Sequence, residues 1–326
     1  MKKLIKHLSI LFLVLVTFTS QAQCWFTNLT TDLANASEQF KSFIKTNDDA
    51  FMAYKTIYNA RGANAAFRLD VGLLQKVAVL RKDATFMQKI GGDEGLEAII
   101  RNNVRATCKT CNGGAKYLKD MDEYLDDVAY FVNNFYEIRD ATRLISELKN
   151  GAQNTLEGGA FVVRVFKENP NGLFNVGNVA EIDLRFSEDV LNRFDVKFIN
   201  GFGEFKSYQI NSISNVSANQ LKQYLSSPNL NSLNDLNYIF DKRKLLKQYN
   251  VGTFDTVDEA LIAVKDKMRI VFENNAKSFF EANPNLFDQI QISTNNKIDT
   301  WTKLKAVSED ESLFNLLIGN KFIIIR

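Results

Sequence analysis

Arg193-Phe194-Asp195-Val196-Lys197-Phe198-Ile199-Asn200-Gly201-Phe202-Gly203-Glu204-Phe205-Lys206-Ser207-Tyr208 alternates charged and aromatic residues on both sides of an Asn-Gly pair. Alternation with period two predicts strands at 193–199 and 202–208, and Asn-Gly tolerates the positive φ angles of a tight hairpin turn. A two-residue loop at Asn200-Gly201 would pair Ile199 with Phe202, Lys197 with Glu204 and Asp195 with Lys206. Paired residues share a face, so Asp195, Glu204 and Lys206 converge on one side, while Phe194, Val196, Phe198 and Phe205 point to the other. The aromatic side is expected to be core, and the other to hold a carboxylate pair and an amine.

Working outward, residues 154–168 suit a helix rich in Phe161, Val162, Val163, Val165 and Phe166, ended by Asn169-Pro170-Asn171-Gly172. Val179 to Phe186 reads as a first strand. A helix is expected from Ser217 to Leu225, a turn through Ser226-Ser227-Pro228-Asn229, and a short strand from Leu236 to Phe240. The order is αβββαβ over residues 151–250, which makes the fold class α+β. Residues 23–150 have apolar residues at three- and four-residue spacing, including Phe40, Phe43 and Ile44, then Tyr124, Leu125, Val128, Phe131 and Val132. They predict four to six helices punctuated by Gly91-Gly92 and Gly113-Gly114. Asp126 and Asp127 read there as a solvated helix face. Residues 251–326 read as a mainly helical C-terminal extension, with one or two helices between Asp258 and Asn283. Its apolar end, Phe322 to Ile325, is expected to pair as a strand or pack in a core.

At the N-terminus, Lys2, Lys3 and Lys6 precede the apolar run Leu8 to Phe18, with Ser20 and Ala22 at the −3 and −1 positions of a cleavage site. Residues 1–22 therefore read as a secretory signal peptide, too short to remain as a bilayer span. The expectation is a secreted, periplasmic or cell-surface protein with no stable membrane span in the mature chain. Acylation at Cys24 is the alternative, with Gln23 larger than the small residue such sites want. Loss of three lysines takes the formal net charge from +2 to −1, so nucleic-acid contact would need a local patch rather than bulk charge.

The only histidine is His7, inside the leader. That excludes Ser-His-Asp and Cys-His hydrolases, histidine-dependent nucleases and the usual catalytic zinc sites from the mature chain. Cys108 and Cys111 form a CxxC, read as a disulfide candidate in an oxidising compartment, with a half zinc site as the alternative.

Two carboxylates brought close repel one another unless a cation joins them, and hard oxygen ligands favour Mg²⁺ (or Mn²⁺). A cation held by Asp195 and Glu204 beside the Lys206 ammonium is a histidine-free recipe for phosphodiester hydrolysis. Glu-x-Lys by itself is a cheap pattern: Glu147-Leu148-Lys149 repeats it on an expected helix, and Asp195-Val196-Lys197 mimics it one strand early. Lys242, Arg243, Lys244 and Lys247 form a basic cluster after the last core strand, able to grip phosphates or serve as a solvated turn.

Phe194-Asp195, the hairpin and Glu204-Phe205-Lys206 resemble the Asp…Glu-x-Lys signature of the PD-(D/E)XK (restriction endonuclease-like) nuclease superfamily, with Phe194 in place of the proline. "EFKSY" at 204–208, "LEGGAFVVRVF" at 156–166 and "CKTCNGGAKYLKDMDEYLDD" at 108–127 are similar to toxin domains of Bacteroidetes polymorphic (Rhs-type) toxins. The similarity covers roughly residues 90 to 245. It implies Asp195 and Glu204 as metal ligands, Lys206 as catalytic lysine, Glu157 as a further acidic ligand and Gln220 as the polar residue of the following helix. It also implies a DNA or RNA substrate and a cognate immunity protein. The competing expectation is a non-enzymatic exported binding or structural protein with a degenerate nuclease fold.

Overall fold

The computed structural model describes residues 38, 41–43, 48–61, 71–107, 114–150, 153–182, 195–206, 218–227, 230–249 and 252–326. Residues 1–22, expected to be a signal peptide, Cys108, Cys111 and the side chain of Glu157 lie outside the described residues. The chain divides into two compact units, one through Asp126 and one from Asp127 to Arg326.

The first unit is helical: α1 (Asp48–Arg61), α2 (Val71–Lys82), α3 (Ala84–Ile90), α4 (Gly92–Thr107) and the beginning of α5 (Gly114–Phe135). Helical spacing places Leu73, Leu74, Val77 and Leu80 of α2 in its core with Tyr54, Ile57, Phe86 and Ile100. Asp83 caps α3 by accepting from the Phe86 amide at 2.9 Å, and Gly91 ends it at φ 90°, a left-handed conformation that glycine adopts without a Cβ clash.

The second unit continues with the end of α5, then α6 (Ala141–Asn150), α7 (Gln153–Glu168), β1 (Val179–Ile182), β2 (Val196–Phe198), β3 (Gly201–Lys206), α8 (Ala218–Leu225) and β4 (Leu236–Phe240). Among the described residues the elements follow the expected order αβββαβ. Asn169 and Asn171, at φ 44° and 56°, turn the chain sharply after α7, and the Asn169 side chain accepts from the Phe174 amide at 2.7 Å. After β4 come α9 (Lys242–Leu245), the single long helix α10 (Val257–Ala282), α11 (Pro284–Asp288), the small hairpin β5–β6 (Gln291–Ser293, Asn296–Lys297), α12 (Trp301–Glu309), α13 (Glu311–Phe314) and β7 (Ile323–Ile325). The five-stranded sheet has the order β1-β2-β3-β4-β7. β1, β2 and β3 run antiparallel, whereas β4 is parallel to β3 and β7 parallel to β4. The protein is thus α+β with a mixed sheet, and the terminal apolar run of the C-terminal extension is a strand of the same sheet.

One expectation about the hairpin is corrected. Val196 pairs with Gly203, Lys197 with Phe202 and Phe198 with Gly201, so the turn residues are Ile199-Asn200 and the register is displaced by two. Gly201 explains the displacement. A Cβ there would stand 2.3 Å from the Asp235 carbonyl oxygen, and its φ is 133°, so glycine is spent on close approach to the backbone at Leu233–Asp235 rather than on the turn. Because side chains alternate with period two, this displacement leaves every one on its expected face.

The face that carries the carboxylate and the amine is covered. On the aromatic side α7 packs Phe161 edge-on against Phe205 at 5.6 Å, and Phe174 meets Phe198 at 5.2 Å. The other side, carrying Phe202, Glu204 and Lys206, is roofed by α8 and α10, whose Leu221, Tyr224, Met268 and Phe272 join Phe202, Tyr238 and Phe240 in one apolar core. Charge alternation on β3 foretold which residues share a face. It carried no information about the helix lying over them.

Candidate active site

Glu204 and Lys206 stand two apart on β3, the spacing that puts side chains on one face of a strand. Lys206 Nζ donates to Glu204 Oε1 at 2.5 Å and to Gln220 Oε1 at 3.0 Å. Gln220 Nε2 donates to Glu204 Oε1 at 3.1 Å and to the Tyr224 hydroxyl at 2.6 Å, and that hydroxyl donates to Glu204 Oε2 at 2.6 Å. Gln220 and Tyr224 reach the same place because a four-residue step on α8 returns to the same helix face.

The cluster is dry. Glu204 and Lys206 are each 4% exposed. Removing both ions from water costs several kcal/mol apiece, which close pairing and extra hydrogen bonds offset. Glu204 accepts from Lys206, Gln220 and Tyr224, three of the roughly four lone-pair sites of a carboxylate. The Tyr224 phenol is held well above its usual value, first by burial, then by the Glu204 charge, so it stays protonated and keeps donating. Burial, then Glu204 and Asp195, also raises Tyr238. Tyr238 pairs with Glu204 across β3 and β4, and its ring lies beneath Lys206 Nζ, 5.7 Å from nitrogen to centroid.

Asp195, just before β2 and partly exposed, accepts from the Phe205 amide at 2.7 Å. Its carboxylate is thereby tied to the backbone link between Glu204 and Lys206. Mg²⁺ takes oxygen ligands and is commonly bound by one or two carboxylates, with water and phosphate completing the shell. Asp195 and the remaining lone pair of Glu204 are a donor set of that kind. Among the described residues no group of three or more His, Cys, Asp or Glu side chains could hold a metal, and of Glu157 only its place in the first half of α7 is described.

The basic cluster occupies the turn at the C-terminal end of β4, adjacent to the end of β3, where the Asp241 amide donates to the Lys206 carbonyl at 3.0 Å. Its side chains are engaged with protein groups: Lys242 pairs with Glu168 at 3.0 Å, Lys247 with Asp255 at 2.8 Å, and the Arg243 guanidinium lies over Tyr249 at 5.8 Å. Lys244 sits on the same turn, within α9. Lys197 is exposed and opposite Phe202, apart from the Glu204–Lys206 pairing. Glu147-Leu148-Lys149 lies on α6 with Leu148 buried. Asp126 pairs with Lys76 at 2.6 Å, but Asp127 is not a solvated residue: it is 7% exposed and bonded to Lys167 at 3.0 Å.

The structure therefore joins Glu204, Lys206 and Gln220 directly, anchors Asp195 beside them and adds Tyr224 and Tyr238, which the sequence reading missed. The four-residue step from Gln220 could have revealed Tyr224. Tyr238 needed the β3–β4 register. Among the described residues no helix is long and apolar enough to cross a membrane. Comparison of the chain with protein-family models, curated proteins and solved structures returns no match.

Proposed function

We propose that this chain is an exported Mg²⁺-dependent endonuclease that hydrolyses phosphodiester bonds of DNA or RNA, with a restriction endonuclease-like core, and acts as an antibacterial effector restrained by a cognate immunity protein. The observation that carries the catalytic reading is Gln220. The resemblance singled it out fourteen residues beyond Lys206, and it bonds both Lys206 and Glu204. The αβββαβ order and the parallel pairing of β4 with β3 support the core assignment.

In this reading Asp195 and Glu204 would hold the cation, which when bound polarises the phosphodiester and lowers the pKa of a ligated water. Lys206 supplies a fixed positive charge for the excess negative charge of the transition state. Gln220 holds that ammonium and the carboxylate in register, and Tyr224 fixes the second carboxylate oxygen. Nothing in the cluster is suited to reading base edges, so cleavage is expected to show little sequence preference.

Near-complete burial of Glu204 and Lys206 favours a second reading, a non-enzymatic exported protein that keeps the ion pair as a core element. Plasmid nicking and RNA cleavage with Mg²⁺ or Mn²⁺, comparing the wild type with Lys206→Ala, separates the two. Cleavage lost in the variant is expected, whereas equal cleavage by both removes the catalytic assignment. A rise in melting temperature on titrating Mg²⁺ into the wild type would count against the second reading.

A further inference from the structure

Lys206 is held by more than its carboxylate and amide partners. The aromatic face of Tyr238 lies beneath the nitrogen at 5.7 Å, within the range at which a ring quadrupole attracts a cation. Tyr238 is fully buried and Lys206 only 4% exposed, so bulk solvent screens that attraction little. Its placement follows from register. Glu204 is opposite Tyr238 and Lys206 opposite Phe240, making Tyr238 the diagonal neighbour of Lys206 on the shared face.

The ring is itself fixed. Phe322 meets it edge-on at 5.9 Å and 79°, and Tyr224 lies 6.2 Å away. Phe322 immediately precedes β7, so residues of the C-terminal extension reach the site through Tyr238. The Tyr238 hydroxyl, by contrast, has no hydrogen-bond partner among the described residues. The contact useful to Lys206 is made by the ring.

We propose that Tyr238 is a positioning residue for Lys206, acting through its aromatic face and backed by Phe322, an inference that rests on the nuclease reading for its consequence in catalysis. Two variants separate ring from hydroxyl. Tyr238→Phe keeps the face and should retain cleavage within about twofold of wild type, while Tyr238→Leu removes the face and should lower the single-turnover rate about thirtyfold, the magnitude of a desolvated cation–π contact.

A readout independent of cleavage is the side-chain NMR spectrum of Lys206 with Lys206→Met as the assignment control. The Lys206 ε-methylene protons should be displaced upfield by the Tyr238 ring in the wild type and in Tyr238→Phe, and return toward free lysine in Tyr238→Leu. A wild-type spectrum without that displacement overturns the proposal whether or not Tyr238→Leu folds, and so does a Tyr238→Phe variant as impaired as Tyr238→Leu. A wild type that shows the displacement but cleaves nothing removes both the nuclease reading and the positioning role in it, while leaving the contact itself established.

Discussion

Glu147-Leu148-Lys149 and Glu204-Phe205-Lys206 are the same three-residue pattern in two settings. On α6 successive residues are separated by about 100°, so residues two apart do not face each other. Leu148 turns into the core while Glu147 and Lys149 are both only partly buried. On β3 the same spacing returns each side chain to one face, and Glu204 and Lys206 meet at 2.5 Å. The pattern acquires chemical meaning only from the backbone period beneath it. The strand pair then gains Gln220 and Tyr224 from α8, which no property of the triplet foretells.

The largest effect that could break this contrast is at Lys206. Lys206→Ala leaves Glu204 buried without its counter-ion, expected to cost about 3–5 kcal/mol of stability and to abolish metal-dependent cleavage. Lys149→Ala should change stability by no more than about 0.5 kcal/mol and leave cleavage intact. Denaturant unfolding alongside the nicking assay measures both. To separate catalysis from folding, Glu204→Gln combined with Lys206→Met should recover most of the lost stability but no cleavage; a double variant that still cuts would end the assignment of these residues as catalytic.

A second buried ion pair sharpens the comparison from the structural side. Arg164 Nη2 on α7 bonds Asp241 Oδ1 at 2.5 Å, and Asp241 also accepts from the Arg243 amide at 2.9 Å. Arg164→Ala should likewise destabilise by about 3 kcal/mol or more, since it strands Asp241 in the interior. Cleavage per folded molecule should persist. If Arg164→Ala cost far less than Lys206→Ala in urea melts, burial alone would not explain the energetics of the Glu204 pair.

Gly201→Ala tests what fixes the strand register. The strained φ and the approach of Asp235 predict a loss of about 1–3 kcal/mol, checked by thermal unfolding. A silent substitution would mean that the Asp235 contact does not hold the register.

The smallest expected effect is a pH dependence at Asp127, whose carboxyl is pushed above its ordinary 3.8 chiefly by burial, against the opposing pull of Lys167. The folded state then holds a proton that the unfolded chain releases, so this contribution to stability is full below 3.8 and lost as pH rises through the folded value. Asp127→Asn should flatten that fall in a melting-temperature series across the acid range. A steeper fall in the variant would reverse the assigned direction.

The αβββαβ order was legible because period two at 193–208 and helical spacing at 154–168 are local signals of where apolar surface must go. Glu204, Lys206 and Gln220 were legible through likeness of pattern, and Tyr224 was within reach as a four-residue step. The hairpin register was not, because Asn-Gly advertises a turn while Gly201 answers to Asp235, a partner thirty-four residues away. The roof over the charged face was hidden for the same reason. Burial of Glu204 depends on α8, α10 and β7 returning to the sheet, contacts between segments distant in the chain.

The sequence by itself determined the element types, which side chains share a face of β3, and that the single histidine, His7, lies far along the chain from them. Tertiary structure alone decided that this face is buried, that two tyrosines line it, and that the C-terminal residues complete it. Alternation is written in neighbouring residues, whereas desolvation is created by whatever distant segment packs on top, and the local pattern is blind to that segment.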